Sequence, residues 1–268
     1  MTILQALILG VIQGFTELLP ISSSAHLALT PWLLGWPDHG LAFDVALHLG
    51  TLIAIVAYFH DEWKRLIAAA ISLVRKRRAE TPEEKRVVFL VLATIPAGIA
   101  GLLLEDAAET IFRSPALIAT NLIVMGILLW AIDRFMSRER GMESMGWKDA
   151  MAIGLAQCLA LVPGVSRSGS TITAGRALKL TRESAAVFSF LLSMPITLAA
   201  IVLKLPDAVR EAESLVPMAV GVVAAAVSAW VAIAVLLKYV ARRSYGVFAL
   251  YRLAFGALIF YLIHARGL

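Results

Sequence analysis

Cysteine is all but absent: Cys158 stands alone, which excludes an internal disulfide and any cysteine-based metal cluster. Charge is scarce too. Asp, Glu, Lys and Arg make up 16% of the 268 residues against 60% hydrophobic residues, and the mean hydropathy of +0.82 lies far above that of an ordinary soluble domain. The bilayer is therefore the first environment to consider. The N-terminus lacks a basic n-region and a small-residue cleavage site, so it is expected to belong to the mature fold rather than to a removable signal peptide. The net charge of +5 is carried in loops between apolar runs, and no nucleic-acid partner is expected from it.

A membrane helix needs roughly 20 mostly apolar residues. Charge-free runs near that length cover 87–104, 114–132, 185–203 and 214–237. Two shorter or interrupted spans cover about 42–59, starting near Asp44, and about 247–264, with Arg252 near the start. Thr81-Pro82-Glu83-Glu84 supplies an N-cap, a first-turn proline and a capping-box acid, and Ser114-Pro115 is expected to start the next span likewise. Lysine and arginine favour cytoplasmic loops. With 60–86 cytoplasmic, alternation makes 105–113 and 204–213 periplasmic and 134–148, 176–183 and 238–246 cytoplasmic. Eighteen of the 24 basic residues then lie inside.

This scheme leaves 149–178 with both ends on the cytoplasmic side, although 150–166 is apolar enough to enter the bilayer. A re-entrant hairpin is expected there. Residues 3–37 likewise start and end outside, with Pro20-Ile21-Ser22-Ser23-Ser24 breaking the apolar run, and would form a second hairpin from the opposite face. Ala6, Gly10 and Gln13 recur 144 residues later as Ala150, Gly154 and Gln157; after a one-residue gap Pro20 and Ser23 match Pro163 and Ser166. Ser114, Gly126 and Leu128 match Ser244, Gly256 and Leu258 at a shift of 130. The expected fold is an all-α, polytopic membrane protein. It forms a single domain over 1–268 as an inverted-topology repeat, with halves about 1–135 and 147–265, each one re-entrant helical hairpin plus three transmembrane helices.

Charges that remain deep in hydrocarbon need a partner or a function. Glu17 and Arg167 are the two expected to lie deep, one beside each break. Gln13 and Glu17 are four apart and share a helix face. Ser22, Ser23 and Ser24 can cap the half-helix that follows Pro20, with His26 in its first turn. An acid, hydroxyls, a histidine and a helix N-terminus are the parts that activate a nucleophile and hold a phosphate. Around Arg167, Pro163-Gly164-Val165-Ser166-Arg167-Ser168-Gly169-Ser170-Thr171 reads as a phosphate nest. Glycines would let amides approach, arginine would supply a fork, and hydroxyls of Ser166, Ser168 and Thr171 would complete the cradle. It lacks the GK[ST] ending of a nucleoside triphosphate P-loop. His48 shares a face with Asp44, making both candidates to line the cavity. Arg252 is expected to snorkel in a structural role, and His39, His60 and His264 to be solvated.

These motifs resemble those of the undecaprenyl pyrophosphate phosphatase (bacitracin-resistance) family. Gln13-Gly-Phe-Thr-Glu17 with Pro20, Ser22-Ser23 and His26 is similar to its first motif. Pro163-Gly164-x-Ser166-Arg167-Ser168-x-x-Thr171 is similar to its second, PGxSRSxxT, and the likeness extends through Phe43-Asp44-Val45 to Tyr251-Arg252. The resemblance implies a membrane hydrolase that converts undecaprenyl pyrophosphate to the monophosphate, recycling the lipid carrier of peptidoglycan synthesis and giving bacitracin tolerance. It implies Glu17 and Gln13 in base catalysis or as ligands of a divalent cation (Mg2+ or Ca2+), Ser23 or His26 in nucleophilic attack, and Arg167 on the pyrophosphate. Gln13 at the variable position removes one carboxylate from any metal site. The partners implied are the polyprenyl pyrophosphate lipid, the membrane and, as one option, a second copy in a homodimer. The location implied is the bacterial inner membrane, with a pocket facing the periplasm. The alternative from another class is a secondary transporter or lipid flippase, which also uses inverted repeats and broken helices.

Overall fold

The computed structural model describes residues 1–37, 39–104, 114–211 and 215–266. Eleven α-helices and no named strands occur among the described residues. They are α1 (Ile3–Leu18), α2 (Ser23–Leu34), α3 (Gly40–Tyr58), α4 (His60–Lys76), α5 (Pro82–Leu103), α6 (Pro115–Phe135), α7 (Trp147–Cys158), α8 (Arg167–Ala177), α9 (Arg182–Glu211), α10 (Leu215–Val240) and α11 (Gly246–Ala265). The expected periplasmic loop 105–113 lies outside the described residues, and most of the 204–213 loop is instead the last turns of α9.

Five helices, α5, α6, α9, α10 and α11, are long and apolar enough to cross a membrane; α3 joins them only together with α4, from which an 85° bend separates it. The chain is a multi-pass membrane protein. Hydropathy does not identify α4, which is amphipathic: Ile67, Ile71 and Val74 stand exposed on one side while Lys64, Arg65 and Lys76 carry charge. Such a helix suits the plane of the membrane interface rather than its interior. Helix punctuation follows the sequence at α5, where Thr81 Oγ1 accepts from the Glu84 amide at 3.2 Å and the Glu84 carboxylate accepts from the Thr81 amide at 3.0 Å. Ser114 occupies the N-cap of α6 but forms no capping bond through its side chain, so Pro115 alone punctuates that start.

The four short helices explain the two breaks. At 1.5 Å per residue, α1 is about 24 Å long and α2, α7 and α8 about 17–18 Å, too short to span hydrocarbon singly. Each pair, α1 with α2 and α7 with α8, packs on itself, and long helices enclose both. Small residues permit the close crossings. Gly10 faces the Gly221 carbonyl on α10, and Gly154 faces the Ala93 carbonyl on α5; a side chain at either glycine would collide with backbone. The helices α6 and α11 cross reciprocally, Gly126 meeting the carbonyl of Ala249 and Gly256 that of Ala119.

The local geometry of the breaks repeats as well. Ser22 and Ser166 both adopt φ 74°, a left-handed backbone unusual for serine, and each caps the helix that follows it: Ser22 Oγ accepts from the Ala25 amide and Ser166 Oγ from the Gly169 amide. Each also bonds the serine two positions on, Ser24 or Ser168, at 3.2 Å. The equivalent of Ser166 is therefore Ser22 and not Ser23, and the shift of 144 runs through the break without the gap that the two prolines suggest. Ser23 and Arg167 then occupy the same position, the first residue of each second half-helix.

On the side expected to face the cytoplasm, Asp133 at the end of α6 accepts from Arg176 Nε at 3.0 Å, Arg182 Nη2 at 2.7 Å and the Tyr245 amide at 3.0 Å. One carboxylate thus ties α6, α8, α9 and α11 together. Asp133 and Arg176 are almost fully covered by protein, a second buried ion pair beside that of Glu17 and Arg167. Hydropathy assigns both to helix ends, and tertiary packing buries them. Nearby, the Arg140 fork on Asp149, at 3.2 and 2.6 Å, holds that carboxyl below its ordinary value and pins the start of α7.

Candidate active site

The two breaks meet. Ser168 Oγ at the start of α8 donates to the carbonyls of Glu17 (3.2 Å) and Leu19 (2.9 Å), and the Gly164 amide donates to Ser22 Oγ at 3.2 Å. Glu17, on the last turn of α1, and Arg167, the first residue of α8, thereby face each other, with Arg167 Nη2 2.8 Å from Glu17 Oε1. Each charge stands at the wrong end of its own helix, an acid at a C-terminus and a cation at an N-terminus. Local preference does not place them there; their mutual attraction holds them, as is usual where a site overrides local rules.

Three further groups reach the other carboxylate oxygen. Ser23 Oγ donates to Glu17 Oε2 at 2.5 Å, Gln13 Nε2 donates to it at 3.2 Å, and His48 Nε2 of α3 lies 3.5 Å away. His48 is oriented through its Nδ1, which bonds the Asp44 carbonyl at 2.7 Å. Glu17 is 6% exposed at its side chain, Arg167 14% and His48 32%, so the cluster has a buried acid and a more open rim. An ionised carboxylate bonded to a serine hydroxyl, with a guanidinium alongside, is an arrangement that can deprotonate the hydroxyl and receive an anion.

The remaining expected site residues divide differently. Ser22, Ser166 and Ser168 are buried and engaged in capping and in the contact between the hairpins. Thr171 Oγ1 donates to the Arg167 carbonyl at 2.8 Å and bonds Ser189 Oγ of α9 at 2.7 Å. These hydroxyls bond within the protein, at the helix starts, between the hairpins and to α9. His26 is set apart from Glu17: its Nδ1 bonds the Ser22 carbonyl and its Nε2 the Tyr251 hydroxyl, both at 2.7 Å, and its ring stacks on Phe255. The Asp44 carboxylate pairs with His39 at 2.7 Å. His39 is therefore a buried partner, 4% exposed at its side chain, and not solvated as expected. His60 and His264 are exposed.

Two contributors escape the sequence reading. Ser189 accepts from Arg167 Nη1 through its carbonyl at 3.4 Å as well as bonding Thr171; a serine inside an apolar span was the available signal. Arg252 does not snorkel. It is 0% exposed and donates to five backbone carbonyls, three in the two breaks and two on α6.

No group of three or more His, Cys, Asp or Glu side chains that could hold a metal occurs among the described residues. The donors present are Glu17 and Gln13 Oε1, a buried amide oxygen without a hydrogen-bond partner. One carboxylate and one orphaned carbonyl suit a cation that takes its other ligands from phosphate oxygens, as magnesium commonly does. A separate apolar groove with a cavity volume of about 640 Å³ runs between α1 and α10, lined by Leu7, Val11, Phe15, Val220, Val223 and Val227. Phe15 and Glu17 are two residues apart, roughly 200° around the helix, so this groove opens on the side of α1 away from the cluster.

The chain is 62% identical over 266 residues to a protein of Gemmatimonas aurantiaca named undecaprenyl-diphosphatase, covering 99% of this chain and 100% of that one. It is 50% identical over 266 residues to a protein of the same name from Pelotomaculum thermopropionicum, covering 99% and 98%. A third, from Moorella thermoacetica, is 49% identical over 259 residues, 97% of each chain. The profile of the family described as bacitracin resistance protein BacA matches residues 6–258, and the chain belongs to that family.

Proposed function

We propose that this protein hydrolyses undecaprenyl diphosphate to undecaprenyl phosphate and inorganic phosphate. The observation that carries the reading is the convergence of Glu17, Ser23 and Arg167 from two broken helices, in a chain whose relatives bear the name undecaprenyl-diphosphatase. Glu17 takes the Ser23 proton as Oγ bonds the terminal phosphorus; the bond from that phosphorus to the bridging oxygen breaks, and the lipid monophosphate leaves with the proton that Glu17 returns to its oxygen, so that Glu17 is again ionised. Water then gives a proton to Glu17 as it bonds the phosphorus, the bond to Oγ breaks, and Oγ recovers a proton from Glu17. Arg167 binds non-bridging oxygens, which carry the charge in phosphoryl transfer. Gln13 Oε1 and Glu17 would hold a divalent cation, Mg2+ or Ca2+, which would neutralise part of the pyrophosphate charge. His26 acts by fixing the start of α2 rather than by attack, a reading supported by its bonds to Ser22 and Tyr251.

The assay is phosphate release by the purified protein in detergent, given the lipid diphosphate with magnesium or calcium. Release is the expected result. Binding without release would favour the transporter or flippase reading. The role in the cell is recycling of the lipid carrier for peptidoglycan synthesis, with tolerance to bacitracin. We read the two halves as an inverted repeat in the bacterial inner membrane, supported by the matching breaks at Ser22 and Ser166 and the reciprocal glycine crossings. The distribution of lysine and arginine supports a periplasm-facing site. In a Cys158→Ser background, Ala108→Cys should react with an impermeant thiol reagent in intact cells, and Arg78→Cys and Arg242→Cys should not. Labelling at residue 78 from outside would reverse the orientation.

A further inference from the structure

Arg252 is a fully buried cation. Among the described residues no carboxylate lies within ion-pair distance of it, whereas the other fully buried arginine, Arg176, is paired with Asp133. Its guanidinium is committed to peptide carbonyls instead. Nε donates to Leu122 (3.1 Å) and Nη2 to Asn121 (3.3 Å), both on α6. Nη1 donates to Pro20 in the first break (3.1 Å), and Nη2 to Gly164 (2.7 Å) and Val165 (3.0 Å) in the second. The surrounding glycines make room for it. Gly126 lies beneath its stem, and a Cβ on Gly169 would stand 2.8 Å from Nη1 and 3.0 Å from the Ser166 Cβ. Burying an arginine is costly in a membrane, and one held by carbonyls of two separate hairpins constrains both at once.

Resting on the hydrolase reading above, we propose that Arg252 is the positioning residue of the active site. By gripping Pro20 on one hairpin and Gly164 and Val165 on the other, it sets the distance between the group that attacks and the group that holds the phosphate. Pro20 is three residues from both Glu17 and Ser23, and Val165 is two from Arg167. A small movement of one break against the other changes the geometry that the reaction uses, and a misplacement of about 1 Å can cost roughly 10²-fold.

The test is a double-mutant cycle on the full-length protein in detergent: kcat and KM for phosphate release in wild type, Arg252→Lys, Arg167→Lys and the double variant. Lysine keeps the charge but cannot reach carbonyls on three segments with fixed geometry. Arg252→Lys should lower kcat by about 10- to 10²-fold with little change in KM. In the Arg167→Lys background the same change should cost about tenfold less, because the register it protects no longer positions a guanidinium fork. Near-wild-type kcat in Arg252→Lys would overturn the proposal, and so would a loss confined to KM or an equal fold-loss in both backgrounds. If Arg252→Lys fails to accumulate, Gly169→Ala carries the test, since it keeps Arg252 but displaces its guanidinium from under α8; full turnover in that variant is also contrary. Wild-type release measured alongside separates failure of this proposal from failure of the hydrolase reading.

Discussion

Glu17→Gln is expected to lower kcat for phosphate release by roughly 10²- to 10⁴-fold, the contribution typical of a positioned acid–base group. The substitution preserves size and hydrogen-bonding capacity, so Gln13, Ser23 and His48 can remain close to where they are. The charge that draws the Ser23 proton is lost. Lipid diphosphate should bind at least as tightly, because a negative charge facing the pyrophosphate has gone. Arg167 then lacks its counter-ion in the resting protein, and a buried arginine left unpaired lowers stability. The two roles give different results on one preparation. A base gives a large loss of kcat with binding retained, whereas a scaffold gives a lower melting temperature with nearly intact turnover. The second pattern would remove Glu17 from the reaction.

This pair is visible in the sequence for a physical reason. Hydrocarbon penalises charge so heavily that Glu17 and Arg167 stand out against their apolar surroundings, and Pro20 and Pro163-Gly164 mark the breaks beside them. The long spans were legible for the same reason, since crossing hydrocarbon demands length and apolarity. What hydropathy cannot read is the partner of a polar group. Arg252 looked close enough to a helix end to reach water, yet carbonyls from α6 and both breaks enclose it. His39 looked like a loop histidine, yet Asp44 holds it buried. The serines of the second motif read as phosphate ligands from their pattern, and the pattern does not show what else they bond. Here the same hydroxyls satisfy backbone groups exposed where two helices break, a need that arises only once the hairpins meet. The amphipathic α4 is hidden in sequence among the charges of a loop expected to be cytoplasmic.

The ungapped register through the breaks sharpens the division of labour. With Ser22 and Ser166 as equivalent caps, the next position carries Ser23 in one half and Arg167 in the other. Two copies of one device, a half-helix opened by a left-handed serine, thus present a hydroxyl and a guanidinium toward the same carboxylate. The two breaks share a backbone geometry but not their side chains, since the positions 144 residues after Glu17 and Ser23 hold Leu161 and Arg167.

The position of Arg167 makes the second large effect predictable. Arg167→Lys should keep the fold and lose about 10²- to 10³-fold in kcat, the scale seen when one fixed donor to a developing oxyanion is removed. Arg167 Nη2 holds Glu17 at 2.8 Å while Nη1 points to the Ser189 carbonyl at 3.4 Å, so the guanidinium plane is fixed on two sides. A planar fork in that setting can shift one nitrogen to a phosphate oxygen while another stays on the carboxylate. Lysine retains the positive charge opposite Glu17, and the ion pair that joins the hairpins should therefore survive, with a melting temperature near that of wild type. Its ammonium is a point charge on a flexible stem and cannot present two parallel donors to a phosphoryl group. The loss should fall mainly on kcat, since overall attraction of the anion is preserved and alignment at the transferring phosphorus is not. Steady-state kinetics with the lipid diphosphate, read beside thermal melting, distinguish the cases. Near-normal kcat would reduce Arg167 to a counter-ion, and a loss seen only in KM would make it a binding charge with no part in the transition state.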